Sequence, residues 1–255
     1  MPEHASWLTF LLALARKSLD RKAEVIGESF IDHTPPSWAS FEPITAALFV
    51  VALVLVLAWL ARRRLKRLDE AVIPESRLTI GTFMEIFLGY FYDLARGMMG
   101  PERAKRYFPI IGTSAMFVFF ANVMAMIPGM PVATSHLSIT FGCALVVFVV
   151  FNAYGLMTNG MAYLKHLGGP SWYLAPLVFV IEFISLCVRP LTLAIRLMLN
   201  MAVDHLIVVI FLSLLAVVLP ISMMVIECLV VVIQTLVFTV LTTIYISLAT
   251  EPLHH

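Results

Sequence analysis

LCVRPLTLAIRLMLNMAVDHL, residues 186–206, holds two arginines, an aspartate and a histidine within surroundings apolar enough to lie inside a lipid bilayer. A guanidinium at bilayer depth costs about 2.5–3.5 kcal/mol on insertion scales. A chain carries that cost where the charge has a task, most often pairing with a carboxylate or a moving ion. Arg196, at the centre of the stretch, is therefore the residue around which the rest is read.

The whole chain supports a membrane setting. Of its 255 residues, 61% are hydrophobic and 13% charged, and the mean hydropathy is +0.95. A soluble domain carries about a quarter charged residues. The net charge of +1 leaves no basic face for nucleic acid. The three cysteines, Cys143, Cys187 and Cys228, are far apart in apolar segments, which suits packing rather than a disulfide framework or a metal site.

Crossing the hydrocarbon core takes roughly 20 apolar residues. Residues 44–61 form a first span, stopped by Arg62, Arg63, Arg64, Lys66 and Arg67. Residues 78–99 contain Glu85, Asp93 and Arg96 and read as an interfacial helix with those acids on a solvated face. Two further spans are expected at 107–127 and 137–158. Two long apolar segments follow, 172–215 and 221–250, with Pro220 at their join. The first of these is about twice a perpendicular span, so it must tilt, break near Pro190, or both. WLTFLLALA at 7–15 is too short to span and has its basic residues after it, so residues 5–26 read as an interfacial helix rather than a signal peptide. The expected fold is an all-α integral membrane protein of about five crossing helices plus interfacial amphipathic helices, the last two crossings forming a long tilted antiparallel hairpin. Residues 1–43 form an N-terminal segment and 44–255 one membrane domain.

Five crossings put eleven basic residues (the stretch 62–106 and Lys165) on one side and four (Arg16, Lys17, Arg21, Lys22) on the other. The excess marks the cytoplasmic side, with the N-terminus outside and the C-terminus inside.

At about 100° per residue, Glu182, Ser185, Arg189, Thr192, Arg196 and Asn200 fall within roughly an 80° arc of one helix. His205 lies on the opposite face, roughly 13 Å further along. In the last segment Glu227, Gln234 and Tyr245 share a face within roughly 20°. Folding the two segments into an antiparallel hairpin about a point just before Pro220 brings Arg196 to the depth of Gln234, and His205 to the depth of Glu227. A buried acid and imidazole at one depth can form a proton relay.

Plainer readings stand beside this one. Ser185, Thr192, Asn200 and the threonines at 235, 239, 242 and 243 can hydrogen-bond between helices. Arg189 can snorkel to the interface, and Asp204 can be solvated near a helix end. Glu182, Arg196, His205 and Glu227 lie too far from an end, or too close to a partner, for such explanations.

RPLTLAIRLMLNMAVDH (189–205) resembles the signature around the essential arginine of the a-subunit family of F-type ATP synthases. FVFFANVMAMIPG (117–129) resembles that family's third-helix motif, and QTLVFTVLTTIYISLATE (234–251) its C-terminal helix. The similarity runs from about residue 40 to the end. By position, the resemblance makes Arg196 the essential arginine and Gln234 its neighbour. Glu182 and Ser185 fall in the cytoplasmic half-channel and Asn122 in the opposite one. Many relatives have an acid nine residues after the arginine and a histidine seven before the glutamine. Here His205 and Glu227 occupy those positions, so the pair is transposed. Acids that some relatives carry after the third-helix Asn are missing, with Ala125 and Gly129 in that region; His136 or Asp204 are the available substitutes.

The resemblance implies a ring of small c subunits as partner, each with one mid-membrane carboxylate, together with peripheral-stalk b subunits in a bacterial plasma membrane. Protons would enter past Asn122, His205 and Glu227, neutralise a ring carboxylate, and leave near Glu182. Arg196 would hold the anion and block a direct leak, with Asn200, Asp204, Ser185 and Tyr245 in support. Lysine would serve poorly there, because burial lowers its pKa while arginine stays charged. No GxxxxGK[ST] loop occurs, so nucleotide chemistry belongs to other subunits, and no cofactor is expected. A proton-coupled secondary transporter is the rival class, but its usual matching half-repeats are not seen. A purely structural subunit is disfavoured by the buried charges.

Overall fold

The computed structural model describes residues 42–65, 79–127, 137–160, 175–214 and 218–251. The helix expected over 5–26, His136 and Lys165 lie outside these. Among the described residues every element is a helix: α1 (Glu42–Leu65), α2 (Ile80–Met99), α3 (Pro101–Ala125), α4 (Leu137–Asn159), α5 (Ala175–Leu214) and α6 (Val218–Ala249). All but α2 are long and apolar enough to cross a membrane. The five expected crossings are thus present.

α2 and α3 form a tight hairpin about Gly100, whose φ of 81° and ψ of 164° are open almost only to glycine. Pro101 then occupies the first turn of α3, where its missing N–H costs nothing. Arg103 Nε donates back to Met99 O at 2.8 Å, satisfying a carbonyl at the end of α2. α2 runs back along α3 with Leu88 beside Gly112 and Phe87 4.9 Å from Phe119. Its outer face exposes Glu85, Asp93 and Arg96, as its amphipathic pattern requires.

Within the 172–215 segment, the described residues 175–214 do not break. α5 continues through Pro190 as one 40-residue helix, about 60 Å long and so about twice the hydrocarbon thickness. Strong tilt is the remaining way to fit it. Just past the proline, Thr192 turns its hydroxyl to the carbonyls of Val188 (3.0 Å) and Arg189 (2.9 Å). α3 likewise continues through Pro109, with Thr113 Oγ1 donating to Pro109 O at 2.6 Å.

The two arms of the α5–α6 hairpin pack mainly on other helices, α5 on α4 and α6 on α3. The main core is shared by α2 through α6, with Tyr107, Phe151, Leu197, Phe238 and Ile246 at its centre. A smaller knot joins Ala125, Met201 and Val231 of α3, α5 and α6. At the other end, Asn159 of α4 donates to Glu251 O (2.9 Å) and Ala249 O (3.3 Å), capping α6.

The threonines of α6 correct one expectation. Thr235, Thr239 and Thr243 are buried, yet each donates to the carbonyl four residues back in its own helix, at 2.7–2.8 Å. These hydroxyls are satisfied within their own helix. Between helices, Asn200 bonds Gln234, and the Tyr107 and Thr158 hydroxyls pair at 3.0 Å between α3 and α4.

Candidate functional site

Three helices bring the polar residues together around the Ala125–Met201–Val231 knot. Asn122 lies about one turn from Ala125, Asn200 is adjacent to Met201, and Val231 stands between Glu227 and Gln234. Asn122, Glu227 and Gln234 are all buried, and Glu227 is only 7% exposed.

Asn200 Nδ2 donates to Gln234 Oε1 at 2.7 Å, across the hairpin. Further along, the Arg189 guanidinium lies over the Tyr245 ring, 5.5 Å from its centroid. Both pairs share the midpoint 217, so two independent contacts set one antiparallel register. That register lies one turn from the expected one. It puts Asn200, rather than Arg196, opposite Gln234, and sets Arg196 level with Phe238. Counting residues across polar ladders fixes a hairpin only to within a turn; the hydrogen bond selects among the choices. His205 and Glu227 stay close in depth, their helix positions about two residues, or roughly 3 Å, apart. The side chains of Asp204 and His205 lie outside the described residues.

Arg189 also reaches Glu182, Nη2 to Oε1 at 3.9 Å, and their side chains are 22% and 42% exposed. This cation is therefore engaged on two sides, by a carboxylate of its own helix and by an aromatic face of α6. The Arg189–Tyr245 contact was not legible in the sequence, because it depends on the hairpin register. Ser185 is half-buried one turn from Arg189.

Arg196 contrasts with Arg189. It is exposed, and among the described residues it makes no hydrogen bond or ion pair. The burial pattern of α5 explains its position. Leu186, Leu193, Leu197 and Met201 face the core, while Ile181, Ile184, Val188, Leu191, Ile195 and Leu199 form an exposed apolar stripe. Glu182, Ser185, Arg189, Arg196 and Asn200 run along one seam between the two. Arg196 is thus a cation at the edge of an unpacked apolar surface, two turns from a cation already compensated.

The chain is similar to known proteins along most of its length. The family model described as ATP synthase A chain matches residues 44–247. The chain is 54% identical over its full 255 residues, and over the whole of the relative, to ATP synthase subunit a of Sorangium cellulosum. It is 40% identical over 211 residues to ATP synthase subunit a 1 of Syntrophotalea carbinolica, covering 83% of this chain and 86% of that one. With ATP synthase subunit a of Geobacter sulfurreducens it shares 35% identity over 218 residues, 86% of this chain and 91% of the other. From α1 to α6 the chain therefore belongs to the ATP synthase A chain family, the non-catalytic, proton-conducting component of that complex's membrane sector.

Proposed function

We propose that Arg196 separates two offset half-channels and exchanges an ion pair with the carboxylates of a rotating c ring. The observation that carries this reading is the placement of Arg196 itself. It is exposed and unengaged among the described residues, at the seam between an exposed apolar stripe and a polar ladder. An apolar partner moving past that stripe would present its carboxylate to the guanidinium in a setting of low dielectric. A charge pair there is far stronger than in water.

Protons enter from the outer side past Asn122, His205 and Glu227, and neutralise a ring carboxylate, which then rotates into lipid. After nearly a full turn the acid loses its proton into the cytoplasmic half-channel near Glu182 and Ser185. Gln234, held by Asn200, supplies the polar surface one turn from Arg196. Asp204 stands near the outer path, and Tyr245 holds Arg189 at the inner one. Each elementary charge falling through 100 mV releases about 2.3 kcal/mol, so several are needed per ATP, which suits a many-toothed ring. Peripheral-stalk b subunits hold the chain against rotation. Residues 1–43 form an extracytoplasmic N-terminal segment ahead of a single membrane domain, 44–255, with the N-terminus outside and the C-terminus cytoplasmic in a bacterial plasma membrane.

ATP-driven acidification of membrane vesicles bearing Arg196→Ala tests this, with assembly of the complex checked separately. An assembled complex that no longer pumps supports the separating role. Pumping near the wild-type rate would overturn it.

A further inference from the structure

We propose that the groove between α1, α2 and α3 binds an anionic phospholipid, with one acyl chain inside and the phosphate at its basic mouth. The groove has a volume of about 370 Å³ and runs from Arg62 and Pro109 at one end to Val54 and Met116 at the other. Val54 and Arg62 are eight residues apart on α1, so it is about 12 Å long. That length and its apolar walls suit a hydrocarbon chain lying along the groove.

The groove's polarity is confined to one end. Its walls are apolar, and the Thr113 hydroxyl on them already donates to Pro109 O. A free phosphate would find no donor along this length. At the mouth stands Arg62, which is exposed. Lys105, also exposed, lies one turn before Pro109 on the line of α3 that continues through Gly112, Thr113 and Met116. Glu102 is a further turn out. Trp59, one turn from Arg62 and largely exposed, is the residue type that settles at the headgroup level. The cations thus lie where phosphates are, and the apolar length below them lies where acyl chains are. Basic pockets between membrane helices hold anionic headgroups in this way.

The test uses the whole assembled complex, delipidated and returned to nanodiscs of phosphatidylglycerol and phosphatidylcholine, with retained lipid counted by native mass spectrometry. Wild type should retain phosphatidylglycerol in preference. Arg62→Gln with Lys105→Gln should cut that preference by about fivefold per cation removed. Ala58→Trp, which fills the groove, should lower the retained lipid by one molecule. Equal selectivity in wild type and the charge variant would overturn the proposal. So would a photoreactive group at Ala58→Cys that captures a protein helix instead of a lipid chain. The charge variant changes only exposed side chains, so its result does not depend on whether the tryptophan variant folds.

Discussion

Asn200 donates to Gln234 at 2.7 Å from the opposite arm of the α5–α6 hairpin, one turn beyond Arg196. The glutamine is buried, so its amide has little access to water and depends on this partner. The bond therefore fixes the depth of Gln234 relative to Arg196 and leaves the guanidinium uncommitted.

Replacing either amide should show this coupling. Asn200→Leu and Gln234→Leu should each destabilise the assembled complex by about 1–2 kcal/mol, with a coupling of roughly 0.6–1.7 kcal/mol in the double-mutant cycle. Thermal dissociation of the detergent-solubilised complex measures it. Additive single effects would show that the two side chains do not bond.

The register itself can be read by cross-linking. Cysteine pairs at 200/234 and at 189/245 share the midpoint 217 and should react rapidly with a short thiol-bridging reagent. The pair at 196/234 is offset by four residues, about 6 Å along the axis, and should react more slowly. The opposite order would place the hairpin midpoint at 215.

Arg189 is held more by Tyr245 than by Glu182. At 3.9 Å the ion pair is too long for a hydrogen bond and is a loose electrostatic contact. The ring contact contributes about 0.5–2 kcal/mol. Tyr245→Phe keeps the aromatic face and should pump at close to the wild-type rate, whereas Tyr245→Leu should slow pumping severalfold. Equal effects of the two in the vesicle acidification assay would remove the ring face as the cause.

Threonines in α6 should tolerate loss of their hydroxyls. Thr239→Val keeps the shape and removes a donor that serves only the Thr235 carbonyl, so the change in stability should stay within about 1 kcal/mol. Gly100→Ala should cost more, about 1–3 kcal/mol, because φ 81° with ψ 164° strains any side chain. Parallel thermal melts of the two complexes give the comparison, and a Thr239→Val loss exceeding that of Gly100→Ala would contradict both assignments.

Apolar length and the spacing of charges determined, by sequence alone, that the chain is helical, crosses a membrane about five times, and carries its polar residues on single faces of its last two helices. These are local properties: a bilayer demands internally satisfied backbone and a fixed span length, and both are written in consecutive residues. Pro190 shows the limit of local reading, since a proline favours a break, yet α5 passes through it. The threonines show it again, because a hydroxyl can bond to its own helix or to a neighbour with no difference in sequence. Only the tertiary structure decided the hairpin register, the pairing of Asn200 with Gln234, and the engagement of Arg189 by Tyr245. Helix periodicity repeats every turn, so one-turn shifts keep the same faces together. Side-chain reach and packing of each arm on α3 and α4 select one of them.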